Sequence, residues 1–115
     1  MRLISALLIA VSLSGSAFAA SAELKDLIWS GENDKAIAEM KRDPTSINAD
    51  LDGFTPLHLA SMVGNLAVAT FLLDNGADVN ALDFEGYSPL VRAKANRKED
   101  IAKLLISHGG KELEP

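Results

Sequence analysis

From Leu57 onward the apolar residues fall into short blocks separated by polar, glycine-bearing turns, and the blocks recur. Val68, Phe71 and Leu72 stand at i, i+3 and i+4, the spacing that places side chains on one helical face. Ile101, Leu104 and Leu105 repeat that spacing 33 residues later. The pattern predicts a helix over about residues 66–75, stopped by Gly76, and an equivalent one stopped by Gly109. Upstream of each lies a shorter block that begins at Thr55-Pro56 or Ser88-Pro89. There a hydroxyl can accept from an orphan N–H at the helix start, while proline fills the first helical position. Gly64 can close the first of these short helices in the left-handed conformation.

The recurrence has one period. Gly53 and Gly86, Thr55 and Ser88, Pro56 and Pro89, Leu57 and Leu90, and Ala60 and Ala93 are each 33 residues apart. Between the copies, "ADVNALDFEGY" is polar and turn-rich, and Asp83 to Gly86 suits a hairpin tip. One unit therefore reads as turn, short helix, short helix. Helices this short are marginal alone in water. They become stable when each pair buries its apolar face against the next, which is the logic of a solenoid.

A further unit lies upstream without the Thr-Pro start, in "AELKDLIWSGENDKAIAEMKRDPTSINA". It aligns Gly31 with Gly64, and Ile47-Asn48-Ala49 with Val79-Asn80-Ala81, so its spacing slips by one residue. Pro44 ends its second helix. This gives three repeats, at about 21–49, 50–82 and 83–115.

The stretch "GFTPLHLASMVGNLAVATFLLDNGADVNA" resembles an ankyrin repeat, whose period and T-P-L-H-x-A signature it carries. The following copy departs from that pattern at Val91, Arg97 and Gly110, where histidine, glycine and alanine are usual. The resemblance implies an all-α solenoid of helix-turn-helix units joined by β-hairpin-like turns. It also implies a structural His58, hydrogen-bonded to backbone and to the threonine hydroxyl across neighbouring turns.

By the same resemblance, a partner protein would be bound at the hairpin tips and on the concave face formed by the first helix of each pair. The tip positions are Leu51, Asp52 and Phe54, then Leu82, Phe84, Glu85 and Tyr87. The last turns of the first helices supply Trp29 and Ser30, Met62 and Val63, and Ala95 and Asn96. Residues 29, 62 and 95 are 33 apart and should stack in one row. These places hold the only tryptophan, the only tyrosine and two of the four phenylalanines, a grouping typical of interface cores. Trp29 could instead pack into the first repeat's core, and the phenylalanines could fold back on their turns.

Composition narrows the chemistry. "MRLISALLIAVSLSGSAFAA" combines a basic Arg2, an apolar run from Leu3 to Leu13 and a small-x-small Ala17-Phe18-Ala19 site. That is the form of an export signal, residues 1–19, cleaved after Ala19. A run of eleven residues is too short for a bilayer of ~30 Å. Export, in the style of a bacterial periplasm or secretion, leaves residues 20–115 as an ankyrin-like domain with no disulfide, because the chain has no cysteine. Cleavage removes Arg2 and no acid, so the net charge moves from −5 to −6. That argues against nucleic acid, and no later segment is apolar enough to hold the mature chain in a membrane.

No catalytic set accompanies the two histidines, His58 and His108. Asp50 and Asp52 before Gly53 fail as a calcium loop, since the glycine comes too early and no glutamate closes it. No metal and no cofactor are called for. Residues 50–82 carry four Asp and no base, whereas Arg92, Lys94, Arg97 and Lys98 cluster without an acid. The reading is a monomeric, non-enzymatic binding module that holds or regulates a periplasmic protein. The alternative is an immunity-type inhibitor of a toxin delivered into that compartment.

Overall fold

The computed structural model describes residues 24–115, so the expected export signal lies outside the described residues. The first helix, α1, covers residues 24–30. It is followed by α2 (Asn33–Arg42), a 3-10 turn over Pro44–Asn48, α3 (Pro56–Val63), α4 (Leu66–Asp74), α5 (Pro89–Ala95) and α6 (Glu99–Ser107). The only strand-like pairing among the described residues is the isolated bridge between Leu51 and Phe54. The helix pairs α1–α2, α3–α4 and α5–α6 are the three predicted units.

Local chemistry sets the boundaries. Thr55 caps α3, accepting from the His58 N–H, and Pro56 occupies the first turn. Gly64 closes α3 with φ +80°, a conformation that glycine adopts without penalty. Asn65 then starts α4 by accepting from the Val68 N–H. Its amide donates to the Ile28 carbonyl at 3.2 Å and to Asn33 Oδ1 at 2.7 Å, tying the second unit to the first. In α2 the helix ends at Arg42, immediately before Pro44, which opens the 3-10 turn.

Ser88 departs from expectation. It stands at the start of α5 as Thr55 does at α3, yet its side chain makes no cap bond. The hydroxyl instead donates to the Lys111 carbonyl at 2.6 Å and accepts from the Leu113 N–H at 3.1 Å. The Ser88 N–H also donates to the Leu113 carbonyl at 2.9 Å. The Ser-Pro pair therefore anchors the returning C-terminal segment, and proline alone pre-organises the first turn of α5.

One asparagine device repeats between units. The Asn48 amide donates to the Gly76 carbonyl at 3.0 Å while its carbonyl oxygen accepts from the Asp78 N–H at 2.8 Å. Asn80 does the same to Gly109 and Lys111, at 3.1 and 2.8 Å. Each asparagine thus satisfies two backbone groups of the following turn, as buried or bent backbone requires.

A single apolar cluster threads all three units. It runs from Leu24 and Ile28 through Met40, Leu57, Val68 and Leu72 to Leu90, Ile101 and Leu105. These include the i and i+4 positions of the predicted helical faces. Packing is by corresponding elements, α3 on α5 and α4 on α6. The stack is what makes helices of seven to ten residues persist.

Candidate functional site at the hairpin tips

The site is built from two turns held against each other. In the first, the Gly53 N–H donates to Asp50 Oδ1 at 2.6 Å, and the Leu51–Phe54 bridge closes the loop. In the second, Asp83 Oδ1 accepts from the Glu85 N–H at 2.9 Å and the Tyr87 N–H at 3.1 Å. The Phe84 N–H donates to the Gly53 carbonyl at 2.9 Å, joining tip to tip. Gly53 has φ +92°, and a Cβ added there would lie 2.6 Å from the Phe84 ring. Only glycine lets the second tip sit so close to the first.

Phe84 meets Phe54 edge to face, with ring centroids 5.2 Å apart. This is a favoured arrangement of aromatic quadrupoles. Phe54 is half-buried and packed on the core, whereas Phe84 is 68% exposed. Asn48, Asp50, Thr55 and Leu82 complete a groove of about 310 Å³ between the tips.

Arg92 fixes the second tip from beneath. Its Nε donates to Asp83 Oδ2 at 2.6 Å, and its terminal nitrogen to Glu85 Oε1 at 2.9 Å. The guanidinium also lies over the Tyr87 ring at 4.6 Å and the Phe54 ring at 5.5 Å, both within cation–π range. Burial alone would raise the Asp83 carboxyl. The Arg92 hydrogen bond and the two backbone N–H groups outweigh it and hold the carboxyl below its ordinary value. The Asp83 bond raises Arg92 in turn, against its partial burial.

His58 couples the tip to the helices. The ring is fully enclosed. Nε2 lies 2.8 Å from the Tyr87 carbonyl, which can only accept, so Nε2 carries the proton. Nδ1 then accepts from the Thr55 hydroxyl at 2.8 Å and lies 3.3 Å from the Thr55 N–H. The neutral ring satisfies every neighbour. An imidazolium would set a second ring N–H against two donors, and burial lowers the histidine's pKa despite the Tyr87 bond and the nearby Asp83 charge. A histidine so occupied cannot act as an acid or base for substrate.

The T-P-L-H turn, the glycine-closed helix and the paired tips occur in registered copies. Ankyrin repeats, in three copies, match residues 5–114. The chain belongs to the ankyrin repeat family. The match reaches upstream of residue 21, into the segment that reads as an export signal. The chain is 43% identical over 88 residues to the serine/threonine-protein kinase VIK of Arabidopsis thaliana, covering 73% of this chain and 20% of the kinase. It is 48% identical over 62 residues to Rabankyrin-5 of Mus musculus, covering 54% of this chain and 5% of that protein. Identity to the ARF GTPase-activating protein Git of Drosophila melanogaster is 48% over 52 residues, or 45% of this chain and 7% of Git. The ankyrin chain thus spans a fifth or less of the length of these relatives. Ankyrin repeats generally mediate protein–protein interaction, and as a family they are non-enzymatic.

The expected contact residues divide into groups within this ankyrin fold. Phe54, Leu82 and Phe84 line the tip groove, and Glu85 and Tyr87 join it through Arg92. Trp29, 53% exposed, and Val63 line a separate groove of about 390 Å³ with Ser30 and Leu66. Trp29 therefore stands on the surface and not in the first repeat's core. Neither groove includes Met62, which is half-buried, or Asn96, whose amide bonds the Arg92 carbonyl at 2.8 Å.

Leu51 is a correction. It was expected as an exposed tip contact, but it is 3% exposed and belongs to the core, because the bridge to Phe54 turns its side chain inward. Asp52 is exposed, at φ +57°, and pairs with Lys25 at 2.8 Å. That contact lowers Asp52 and raises Lys25 from their ordinary values. The basic cluster is also altered. Arg92 is spent on Asp83 and Glu85, and Lys94 pairs with Glu112 at 3.0 Å. The tip clamp itself escaped sequence reasoning, although an acid nine residues before an arginine, Asp83 and Arg92, was its available signal.

Among the described residues no group of His, Cys, Asp or Glu could hold a metal ion, and no helix is long and apolar enough to cross a membrane.

Proposed function

We propose that this ankyrin chain is a non-enzymatic binding module that holds or regulates a partner protein through its hairpin tips. We place its action in the bacterial periplasm, on the strength of Arg2, the apolar run that follows and the Ala17-Phe18-Ala19 site. The observation that carries the reading is Phe84: a large aromatic side chain, 68% exposed, on a tip already ordered from three sides. Its backbone bonds Gly53, its ring rests on Phe54, and Arg92 pins the turn beneath it.

Binding loses free energy when loops and side chains must be ordered at the interface. An aromatic group held in place beforehand avoids that loss, and aromatic anchors concentrate interface energy. Leu82, also exposed, widens the apolar contact, while Asp50 and Asp52 rim it with negative charge. A partner surface with an apolar pocket edged by bases complements this tip.

The test is capture from periplasmic extract with wild-type protein and with Phe84→Ala. A protein retained by wild type and lost by folded Phe84→Ala supports the reading. Equal retention by both overturns it.

A further inference from the structure

A second surface lies away from the tips, on the end face of the last repeat. The offset of 33 residues maps α4 onto α6 and α3 onto α5. In the middle repeat the face that receives its neighbour includes Ser61 and Ala69, both fully buried, and Leu73, half-buried and packed on the core. Their equivalents in the last repeat are Lys94, Ala102 and Ile106. These three line one groove of about 370 Å³ together with Arg97, Lys98, Glu99 and Lys103.

Ile106 is 54% exposed there, in the place where Leu73 is covered. The groove thus keeps the shape that receives a helix pair, with Ala102 and Ile106 as an apolar floor. Its rim has changed character, with four bases against one acid. Glu112 neutralises Lys94, but among the described residues Arg97, Lys98 and Lys103 make no ion pair. This basic rim sits on a chain whose net charge is −5, so it runs against the overall composition.

We propose that this end face docks an acidic amphipathic helix of a partner protein. An aliphatic side chain of that helix would cover Ile106 and Ala102, and its flanking carboxylates would meet Lys103, Arg97 and Lys94. Helical shape follows from the face's equivalence to the α3–α4 surface, which packs α5 and α6. Acidity follows from charge complementarity. The surface shares no residue with the tip groove, so its failure and the failure of the tip reading are distinguishable.

The probe is a fluorescein-labelled helical peptide with leucine at i, i+3 and i+7 and glutamate at the flanking positions. Its controls carry lysine for glutamate, or serine for leucine. Anisotropy titration at low salt should show binding of the acidic leucine peptide alone. Ile106→Ser, and Lys94→Glu with Lys103→Glu, should each weaken it by at least about tenfold, and added salt should weaken it further. These positions are on the surface, and melting checks that each variant is folded. Phe84→Ala should bind the peptide as wild type does. No binding of the acidic peptide, equal binding of the lysine peptide, or indifference to both variants overturns the proposal. So does self-association by sedimentation that Ile106→Ser abolishes, which would make a second copy the occupant. Capture by phosphatidylglycerol vesicles with loss in the same variants would assign the face to an anionic membrane instead, and equally overturns it.

Discussion

His58 Nε2 and the Tyr87 carbonyl lie 2.8 Å apart although the residues belong to successive repeats. One side chain therefore satisfies its own helix start, through Thr55, and the turn of the next unit. That double role explains why a polar ring can be fully buried in an otherwise apolar stack: each of its polar atoms has a partner.

His58→Ala should lower stability by about 1–3 kcal/mol, the usual result of stranding a buried polar partner. Melting should drop by several degrees, at roughly 4–8 °C per kcal/mol for a domain of this size. Val91 stands at the equivalent position of the last repeat, so the variant should still fold. The pH dependence has a definite sign. Burial lowers the folded pKa of His58 from 6.5, so its contribution is complete above 6.5 and is lost as pH falls through the lowered value. Wild-type melting should decline below pH 6.5 more steeply than that of His58→Ala. Parallel profiles would show that the ring does not titrate with folding.

The left-handed positions give a second comparison. Arg97 occupies φ +59° where the preceding repeats have Gly31 and Gly64, at +82° and +80°. A side chain there costs about 1–2 kcal/mol, partly offset because glycine is freer when unfolded. Arg97→Gly should therefore stabilise by about 0.5–1 kcal/mol. Gly64→Ala should do the reverse, chiefly through backbone strain, since the Lys98 methylene 2.9 Å from the added Cβ can move aside. Denaturant midpoints of the two variants, measured side by side, decide this. A destabilised Arg97→Gly would contradict it.

Repeat positions such as Thr55, Gly64, Val68 and Leu105 were legible because their causes are local or periodic: a cap, a left-handed stop, a helical face. Ser88 was misread for a complementary reason. A Ser-Pro pair looks identical whether its hydroxyl turns to its own helix or to a chain segment 23 to 25 residues away. Leu51 was misplaced because a two-residue bridge decides which way a tip side chain points. Arg92 was read as part of a basic run, since charge counts along a chain do not reveal that Asp83 folds back beneath the next helix. Tertiary pairing, not propensity, separated the tip clamp from the free surface.

That clamp predicts unequal ion pairs. Asp83→Ala would strand a guanidinium whose side chain is 18% exposed, together with the Glu85 and Tyr87 N–H groups. The expected loss is roughly 2–4 kcal/mol, as for a buried pair broken on one side. Lys25→Ala removes an exposed bridge to Asp52 and should leave melting unchanged within error. Equal effects of the two substitutions would mean that the Asp83 pair is screened like a surface one.

The two stacked phenylalanines separate binding from folding. Phe54 supports the core and Phe84 rests on it, mostly in solvent. Phe54→Ala should cost both stability and affinity, so its effect on binding cannot be assigned to contact alone. Phe84→Ala gives up one aromatic pair and should melt within about 1–1.5 kcal/mol of wild type. If the tip is the partner site, that same variant should lose at least ~2 kcal/mol of binding, some thirtyfold in Kd. Lys41→Ala, an exposed change on α2, serves as the distant control. Calorimetric titration against the captured partner reads all three. A folded Phe84→Ala protein that binds as tightly as Lys41→Ala would remove Phe84 as the anchor, because an ordered, exposed aromatic at the centre of a contact cannot be deleted without effect.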